Sequence, residues 1–418
     1  MNLIILSMVY ILSACCREEM PSPCKTPPCD SIVEGDSTLQ LLWQKQLRID
    51  GEYTPYNSIL ITNKHVVFFY DYDEQEKMLF VDKEDTSIKR FFGPNKGSYH
   101  DRFYLPEVGI IAIDYLSVFR GTGPNDIKKI ASTTTELQYK TRNVLYNDHL
   151  YMNVRDDNKG ENYIYKINVR TGEQTIDIKV KDSDYPQYDK VSIGAPCFMT
   201  LTNGDIIANY SYLFWKGNQA EVISKVENYK TKQVLWTNNS GWINSFQENI
   251  ITYHDNVISN GNWGLNCLNP YTGDTIWTTP VPVGDRDPRG WGGKNLLLVG
   301  NTVSELTQGH FTMFNADNGS VIYDSPLIFS PQSNSELTYF DGVYYWTAAQ
   351  GGYSWIFGLR ASDYKVVLKM KSPNLGKPPY YNDPNYDWNG LNIDPETRLA
   401  YTADGFFAQC FRIPEKWE

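Results

Sequence analysis

The feature of this sequence that most restricts its fold is a short unit that recurs eight times. Each copy is a turn residue followed by an apolar or aromatic strand. The copies lie at 63–69, 108–111, 147–152, 203–207, 254–258, 294–298, 341–345 and 396–401. Repeats of about 20 to 50 residues are typical of arrays in which each copy buries its apolar face against its neighbours. The chain is therefore predicted to be a repeat protein.

A second unit follows most of these copies and indicates the type of repeat. It consists of a strand, a turn closed by Thr-Gly and a strand that ends in an aromatic residue, and residues 265–277 hold its fullest form. Related copies lie at 78–90, 164–176, 222–236, 311–323 and 355–368, and a degenerate copy at 117–131 fits the gap in the series. The 30 Tyr, 18 Phe and 11 Trp of the chain suit half-buried strands.

The two ends of the repeat region predict how the array closes. The eighth copy is followed by 406–411, and no outer strand of the Ile-Trp type comes after it. Residues Leu41 to Lys45 match the outer strands at 234–237 and 275–278, and they precede the first full repeat. An N-terminal strand that completes the last blade would remove the exposed sheet edges of an open array. We therefore predict one all-β domain at 39–418, an eight-bladed β-propeller of four-stranded antiparallel blades closed by that strand.

The first residues carry a targeting signal. Residues 1–11 form an apolar run too short to span a bilayer, and Leu12, Ser13 and Ala14 precede Cys15. This pattern resembles the lipobox of bacterial lipoproteins, in which the Cys is acylated and becomes the first mature residue. The resemblance implies a signal peptide at 1–14, lipid attachment at Cys15 and a Cys- and Pro-rich tether at 15–38. The alternative is an unacylated secreted protein with a stray Cys.

Residues after the anchor bear on its location. Position 16 is Cys rather than the Asp that retains some lipoproteins in the inner membrane, and Glu18 and Glu19 resemble the acidic tag of surface lipoproteins. We expect a lipid-anchored protein of the outer membrane that faces either the periplasm or the cell surface. In the tether, Cys24 and Cys29 either form a disulfide in an oxidising compartment or contribute to a zinc site, which no nearby His supports.

The repeat itself resembles a known family. Residues 268–277 read Leu-Asn-x-x-Thr-Gly-Asp-x-Ile-Trp, which resembles the pyrroloquinoline-quinone-like repeat of quinoprotein-type propellers, and the resemblance extends over 39–411. It implies that Trp43, Trp236 and Trp277 pack between adjacent blades. The layout of lipobox, short tether and eight-bladed ring is similar to that of the propeller lipoproteins of the outer-membrane β-barrel assembly machinery.

Enzymatic alternatives find little support in the sequence. Quinone-dependent dehydrogenases of this type place Ca²⁺ and an adjacent-Cys disulfide beside the quinone, but the adjacent pair here, Cys15-Cys16, belongs to the expected anchor. The sequence lacks Gly-x-Ser-x-Gly and His-Glu-x-x-His motifs. The histidines His65, His149 and His254 recur at similar repeat positions, which indicates a structural role. Cys197, Cys267 and Cys410 lie in apolar contexts typical of inert core thiols. We expect no catalytic activity and no cofactor.

Two loops are candidate binding surfaces, because loops on a rigid scaffold often carry function. The first, at 284–293, contains Arg286, Arg289 and Trp291, and the second, at 380–390, contains Tyr381, Asp383 and Trp388. Such residues suit protein interfaces or sugar stacking, so the expected partners are cell-envelope proteins or glycans. The alternative is that both loops are ordinary connections between blades. With a net charge of −11 and scattered Lys and Arg residues, no nucleic-acid partner is expected.

Overall fold

A computed structural model of the chain describes 39–47, 56–70, 76–92, 99–114, 117–133, 143–238, 250–261, 264–279, 296–307, 310–326, 337–350, 353–371, 391–403 and 406–417. Within these ranges, 33 strands form eight antiparallel sheets, and the single helical segment is a 3-10 turn at Asp182–Asp184. The predicted signal peptide and tether lie outside the described residues, so both stay predictions.

Each sheet is one blade, and the strands of blades 1 to 4 follow one another in sequence. Blade 1 contains β2 (Tyr56–Ile61), β3 (His65–Tyr70), β4 (Glu76–Asp82) and β5 (Ile88–Phe92). Blade 2 contains β6 (Tyr99–Leu105), β7 (Gly109–Asp114), β8 (Ser117–Gly121) and β9 (Lys128–Ser132). Blade 3 contains β10 (Val144–Tyr146), β11 (His149–Asp156), β12 (Glu161–Asn168) and β13 (Gln174–Lys181). Blade 4 contains β14 (Lys190–Ile193), β15 (Cys197–Thr200), β16 (Ile206–Lys216), β17 (Gln219–Asn228) and β18 (Gln233–Asn238).

The other half of the ring repeats this arrangement until the last blade. Blade 5 contains β19 (Ile250–Tyr253), β20 (Asn256–Gly261), β21 (Gly264–Leu268) and β22 (Thr275–Thr278). Blade 6 contains β23 (Leu296–Val299), β24 (Thr302–Thr307), β25 (His310–Asn315) and β26 (Val321–Pro326). Blade 7 contains β27 (Thr338–Phe340), β28 (Val343–Gln350), β29 (Tyr353–Arg360) and β30 (Val366–Lys371). Blade 8 contains β31 (Asn392–Asp394), β32 (Leu399–Ala403), β33 (Phe407–Arg412) and β1 (Gln40–Gln46).

The N-terminal strand closes the ring, as the sequence predicted. Strand β1 pairs antiparallel with β33, from Gln40 opposite Arg412 to Gln46 opposite Phe407. The inner strand β2 of blade 1 contacts both β6 of blade 2 and β31 of blade 8. An ion pair of 2.5 Å between Lys83 Nζ and Asp394 Oδ2 also joins blades 1 and 8. The eight blades therefore form a closed β-propeller.

The core of the ring lies between neighbouring blades. In β3, Val66 and Phe68 pack with residues of blade 8, whereas Val67 and Phe69 pack with residues of blade 2. Successive side chains of a strand point to opposite faces of the sheet, and both faces of a propeller blade are covered by neighbours. This explains why the repeat is a continuous apolar run rather than an alternating pattern.

The tryptophans predicted to join the blades do so. Trp236 Nε1 of blade 4 donates a hydrogen bond of 2.9 Å to the Pro270 carbonyl of blade 5. A Cβ atom on Gly273 would come within 2.8 Å of the Trp236 ring, so the ring and the glycine turn are in close contact. Trp277 repeats this contact against blade 6, and Trp43 packs between Phe68 of blade 1 and Tyr401 of its own blade 8.

Candidate interaction site

The predicted site residues are not among the described residues. Cys15 and both candidate loops lie outside them, so the roles of the following residues stay predictions: Arg286, Arg289, Trp291, Tyr381, Asp383 and Trp388. The described strands that precede the loops end at Thr278 and Lys371. Alternate strands of an antiparallel meander end on the same side of a sheet. Strands β22 and β30 are the fourth strands of their blades, and β16 is the second strand of blade 4. The ends at Thr278 and Lys371 therefore lie on the same face of the ring as the β16–β17 hairpin.

That hairpin makes blade 4 taller than the other blades. Strands β16 and β17 have 11 and 10 residues, whereas the equivalent strands β20 and β21 of blade 5 have six and five. The upper half of the hairpin pairs with β14, from Lys190 opposite Trp215 to Ile193 opposite Tyr212. We call the part formed by β14, residues 212–223 and the connection 182–189 the projection. Ring closure does not require it, which makes it a candidate site.

A buried arginine of blade 3 fixes the base of the projection. Arg155 is 3% exposed, and its Nη2 donates a hydrogen bond of 2.7 Å to Asp182 Oδ2. Its Nη1 donates to Asp182 Oδ1 at 3.1 Å and to the Val191 carbonyl at 2.6 Å. Burial lowers the pKa of Arg155, but the hydrogen bonds to Asp182 and Asp157 outweigh burial and raise the pKa overall. The guanidinium is therefore a charged link between β11 and the projection.

Further ion pairs lie within blade 3 and between blade 3 and the projection. Glu161 accepts a contact of 2.8 Å from Lys179 Nζ and a hydrogen bond from the Tyr163 hydroxyl. The hydrogen bonds from Lys179 and Tyr163 lower the pKa of Glu161 to about 2, so this carboxylate stays ionised at neutral pH. Lys190 Nζ of β14 lies 3.1 Å from Asp157 Oδ1 of blade 3. The Arg155–Asp182 and Lys190–Asp157 ion pairs thus join blade 3 to the projection at two points.

One face of the projection is covered by its own connection. Tyr185 and Tyr188 pack on Phe214, with ring centroids 5.0 Å and 4.7 Å away. The Tyr188 hydroxyl donates a hydrogen bond of 2.7 Å to Glu221 Oε2, which raises the pKa of Tyr188. The Gly217 amide at the hairpin tip donates to Asp189 Oδ2 at 2.6 Å. These contacts hold the hairpin in one position.

The opposite face of the projection is apolar and half-exposed. Leu213 and Trp215 of β16 are half-buried, and Val222 of β17, opposite Leu213, is 37% exposed. Strand β18 pairs with β17 only from Ser224 to Asn228. Among the described residues, no strand pairs with the outer edge of 219–223. An aromatic and two aliphatic side chains beside such an edge are typical of an interaction surface.

The thiols of the described cysteines are buried. Burial raises the pKa of Cys197 to about 12, that of Cys267 to about 11 and that of Cys410 to about 12, which keeps the thiols protonated. His65 and His149 each begin the second strand of a blade, and burial lowers the pKa of both. The described residues contain no group of three or more His, Cys, Asp or Glu side chains placed to hold a metal ion.

Sequence reasoning missed the projection. One signal was present, because the third repeat copy begins at 147 and the fourth only at 203, a longer interval than between the other early copies. The extra residues contain the 182–189 connection and the extended hairpin. Within the described part of the chain, no helix is long and apolar enough to cross a membrane.

Comparisons with known proteins support the fold. No family matches the sequence, and no curated protein matches it. Among solved structures, the one titled "Structure of Dos1 propeller" is similar over 90% of this chain and 95% of that chain, with a TM-score of 0.57 and 8% sequence identity. At this identity the similarity shows a shared β-propeller fold and nothing about function.

Proposed function

We propose that this protein is a non-catalytic binding scaffold of the cell envelope whose partner surface includes the projection. The observation that carries the proposal is the apolar face formed by Leu213, Trp215 and Val222, which a closed ring does not need. Binding energy at protein interfaces concentrates in a few well-packed aromatic and Arg anchors. Trp215 is the expected anchor of this face.

Rigidity favours the same role. The Arg155–Asp182 ion pair and the Tyr188–Glu221 hydrogen bond hold the projection in place before any partner arrives. A surface that is already ordered loses less conformational entropy on binding than a mobile one. The strands that lead into the two predicted binding loops end on the same face of the ring, so we propose that face as the partner side.

We further propose that the protein is a lipoprotein anchored at Cys15, with a propeller of the pyrroloquinoline-quinone-like type. The Leu12 to Cys15 motif supports the anchor, and the contacts of Trp236 and Trp277 with the glycine turns of the next blades support the repeat assignment. Acyl chains contribute about 0.8 kcal/mol per buried methylene, so a multiply acylated Cys15 would hold the ring on a membrane.

The test compares two substitutions in blade 4. Tagged full-length protein is purified from detergent-solubilised membranes as wild type, as Val222→Lys and as Val234→Lys. Val222 lies on the projection and is 37% exposed, whereas Val234 lies on the outer strand and is 45% exposed, so it controls for the added charge. We expect Val222→Lys to lower partner recovery at least about 10-fold, equivalent to about 1.4 kcal/mol. Val234→Lys should recover the partner as wild type does.

Two outcomes would contradict the proposal. Equal partner recovery by Val222→Lys and wild type would exclude the projection as the interface. Oxidation of alcohols or sugars by the wild-type protein, in a dye-linked assay with added pyrroloquinoline quinone and Ca²⁺, would show that the protein is a dehydrogenase rather than a scaffold.

A further inference from the structure

Blades 4 and 5 bury a group of polar side chains between them. Ile207 and Val226 of blade 4 pack against Val257 and Leu268 of blade 5, which identifies the strand positions that face this interface. Every second residue along these strands faces the same way, and no register shift interrupts the β16–β17 or β20–β21 pairing. The next facing positions are occupied by Asn209, Ser211, Ser224, Ser259 and Asn266.

Three of these side chains have polar atoms without a partner. Asn209 and Ser259 are 0% exposed, and Ser211 is 8% exposed. Among the described residues, no hydrogen-bond partner lies within reach of Asn209 Nδ2, Asn209 Oδ1, Ser211 Oγ or Ser259 Oγ. Flipping the Asn209 side-chain amide would not give it a hydrogen-bond partner, because both its nitrogen and its oxygen lack one. A buried polar group without a partner costs about 1 to 3 kcal/mol, so native proteins rarely leave several together.

The position of Asn209 and Ser211, beside an interruption of the inner strand of blade 4, supports a binding site between blades 4 and 5. The inner strand of blade 4 is interrupted between Ile193 and Cys197, and Cys197 lies opposite Asn209 in the ladder. The Gly194 amide, within the interruption, donates a hydrogen bond of 2.8 Å to the Ser211 carbonyl. Asn209 and Ser211 therefore lie directly behind the break, on the inner side of the blade that borders the ring centre.

The chemistry of the side chains restricts the ligand. The five facing residues are amides and hydroxyls, and none carries a charge. Such groups match a neutral ligand whose hydroxyls both donate and accept hydrogen bonds, whereas a phosphate or a metal ion would require opposite charges. Ordered water fills buried polar sites in many proteins, with about three hydrogen bonds per molecule. The hydroxyl groups of a sugar offer the same hydrogen bonds.

We propose that blades 4 and 5 enclose a binding site for an uncharged hydroxyl-bearing ligand, held by Asn209, Ser211 and Ser259. The ligand is ordered water or a sugar that enters the same site. This inference is independent of the projection and of the proposed scaffold role, because it rests on residues of the inter-blade core.

The first experiment measures the melting temperature of the full chain with Ser259→Ala. If the site is occupied, the substitution removes a hydrogen bond to the ligand and lowers the melting temperature by about 2 °C or more. If the site is empty, removing an unpartnered hydroxyl raises the melting temperature, which would overturn the proposal. Ser211→Ala repeats the test at a second atom. Ser117→Ala is the control, because Ser117 Oγ has a protein partner, Ser132 Oγ, at 3.4 Å.

The second experiment distinguishes a sugar from ordered water as the ligand. A saturable rise in melting temperature with D-glucose, absent in Ser259→Ala, would assign a sugar. No such rise, together with an ordered oxygen within about 3.2 Å of Asn209 Nδ2 in a crystal structure, would assign water. A crystal structure with no density between Asn209 and Ser259 would contradict both.

Discussion

Tyr364 of blade 7 stacks on Tyr323 of blade 6, with ring centroids 4.5 Å apart and ring planes inclined by 16°. Tyr323 occupies the position in blade 6 that Trp277 holds in blade 5. Trp277 lies opposite Cys267 and Tyr323 lies opposite Met313, and in both ladders a β-bulge follows directly after that opposite residue. Tyr364 occupies the left-handed turn position of Gly273, with φ of 59° against 76°. At this interface a pair of tyrosines therefore replaces the tryptophan and the glycine together.

A double-mutant cycle tests this replacement. Tyr323→Ala and Tyr364→Ala should each destabilise the ring, and the two changes should couple by about 0.5 to 1.5 kcal/mol, because either one removes the same stacking contact. Urea denaturation of the wild type, the two single variants and the double variant measures the coupling. Strictly additive losses would mean that the stacked rings contribute nothing beyond their separate burial.

Gly273→Ala should destabilise the protein through a steric clash with Trp236. The added Cβ would lie 2.8 Å from the ring, and the residue has a positive φ of 76°. Gly204→Ala is the matched control, since Gly204 has a φ of 84° and no atom within 4 Å of the added Cβ. The control should cost about 1 kcal/mol for backbone strain, and Gly273→Ala about 1 to 3 kcal/mol more. Equal losses in urea denaturation would show that Trp236 moves aside freely.

Trp43→Ala should weaken the closure of the ring. Trp43 packs against Phe68 of blade 1 with ring centroids 6.4 Å apart, and its strand completes blade 8. Loss of a large packed aromatic costs about 3 to 5 kcal/mol, so the melting temperature should fall markedly. Gln40→Ala on the same strand is the control, because Gln40 is exposed and its loss should change stability by no more than about 0.5 kcal/mol. An unchanged melting curve for Trp43→Ala would contradict closure by this strand.

Arg155→Met should destabilise the projection more than the ring. The substitution removes the counter-ion of Asp182, whose partly buried carboxylate keeps the hydrogen bond from the Val191 amide. Removing one partner of a buried ion pair typically costs about 3 to 5 kcal/mol. Hydrogen exchange should therefore accelerate in 182–193 while β20 and β21 of blade 5 stay protected. Arg155→Lys keeps the charge but loses the two-pronged contact, so an intermediate effect is expected. Uniform acceleration around the ring would assign Arg155 to global stability instead.

His65 should make stability depend on pH. Burial lowers the pKa of His65 below 6.5, and the nearby Asp82, 4.0 Å from His65 Nε2, offsets this only in part. The unfolded chain therefore binds a proton more readily, so stability is fully present above about pH 6.5 and falls as the pH drops towards the folded pKa. His65→Gln should reduce the loss of unfolding free energy between pH 7.5 and 5.5, measured by urea denaturation. An identical pH profile would show that His65 does not contribute.

The features that the sequence predicted are those that recur at a regular spacing. The eight strand copies, the Thr-Gly turns and the match between Leu41–Lys45 and the other outer strands were sufficient for the number of blades and the closing strand. The resemblance of the repeat to that of quinoprotein-type propellers assigned Trp236 and Trp277 to blade interfaces. A repeated local pattern predicts a repeated contact, since each blade meets its neighbour in the same way.

Features that occur once could be identified only in the tertiary structure. The sequence does not indicate that Tyr323 and Tyr364 meet, that Arg155 reaches Asp182, or that polar atoms of Asn209 and Ser259 are buried without partners among the described residues. In each pair the two residues lie in separate strands or connections of the chain. Local periodicity determines which face of its own strand a side chain occupies, but its partner depends on the register and packing of distant segments. The repeat therefore determined the closed ring of blades. The projection and the buried polar side chains depart from the repeat, and only the packing of the folded ring shows where they lie.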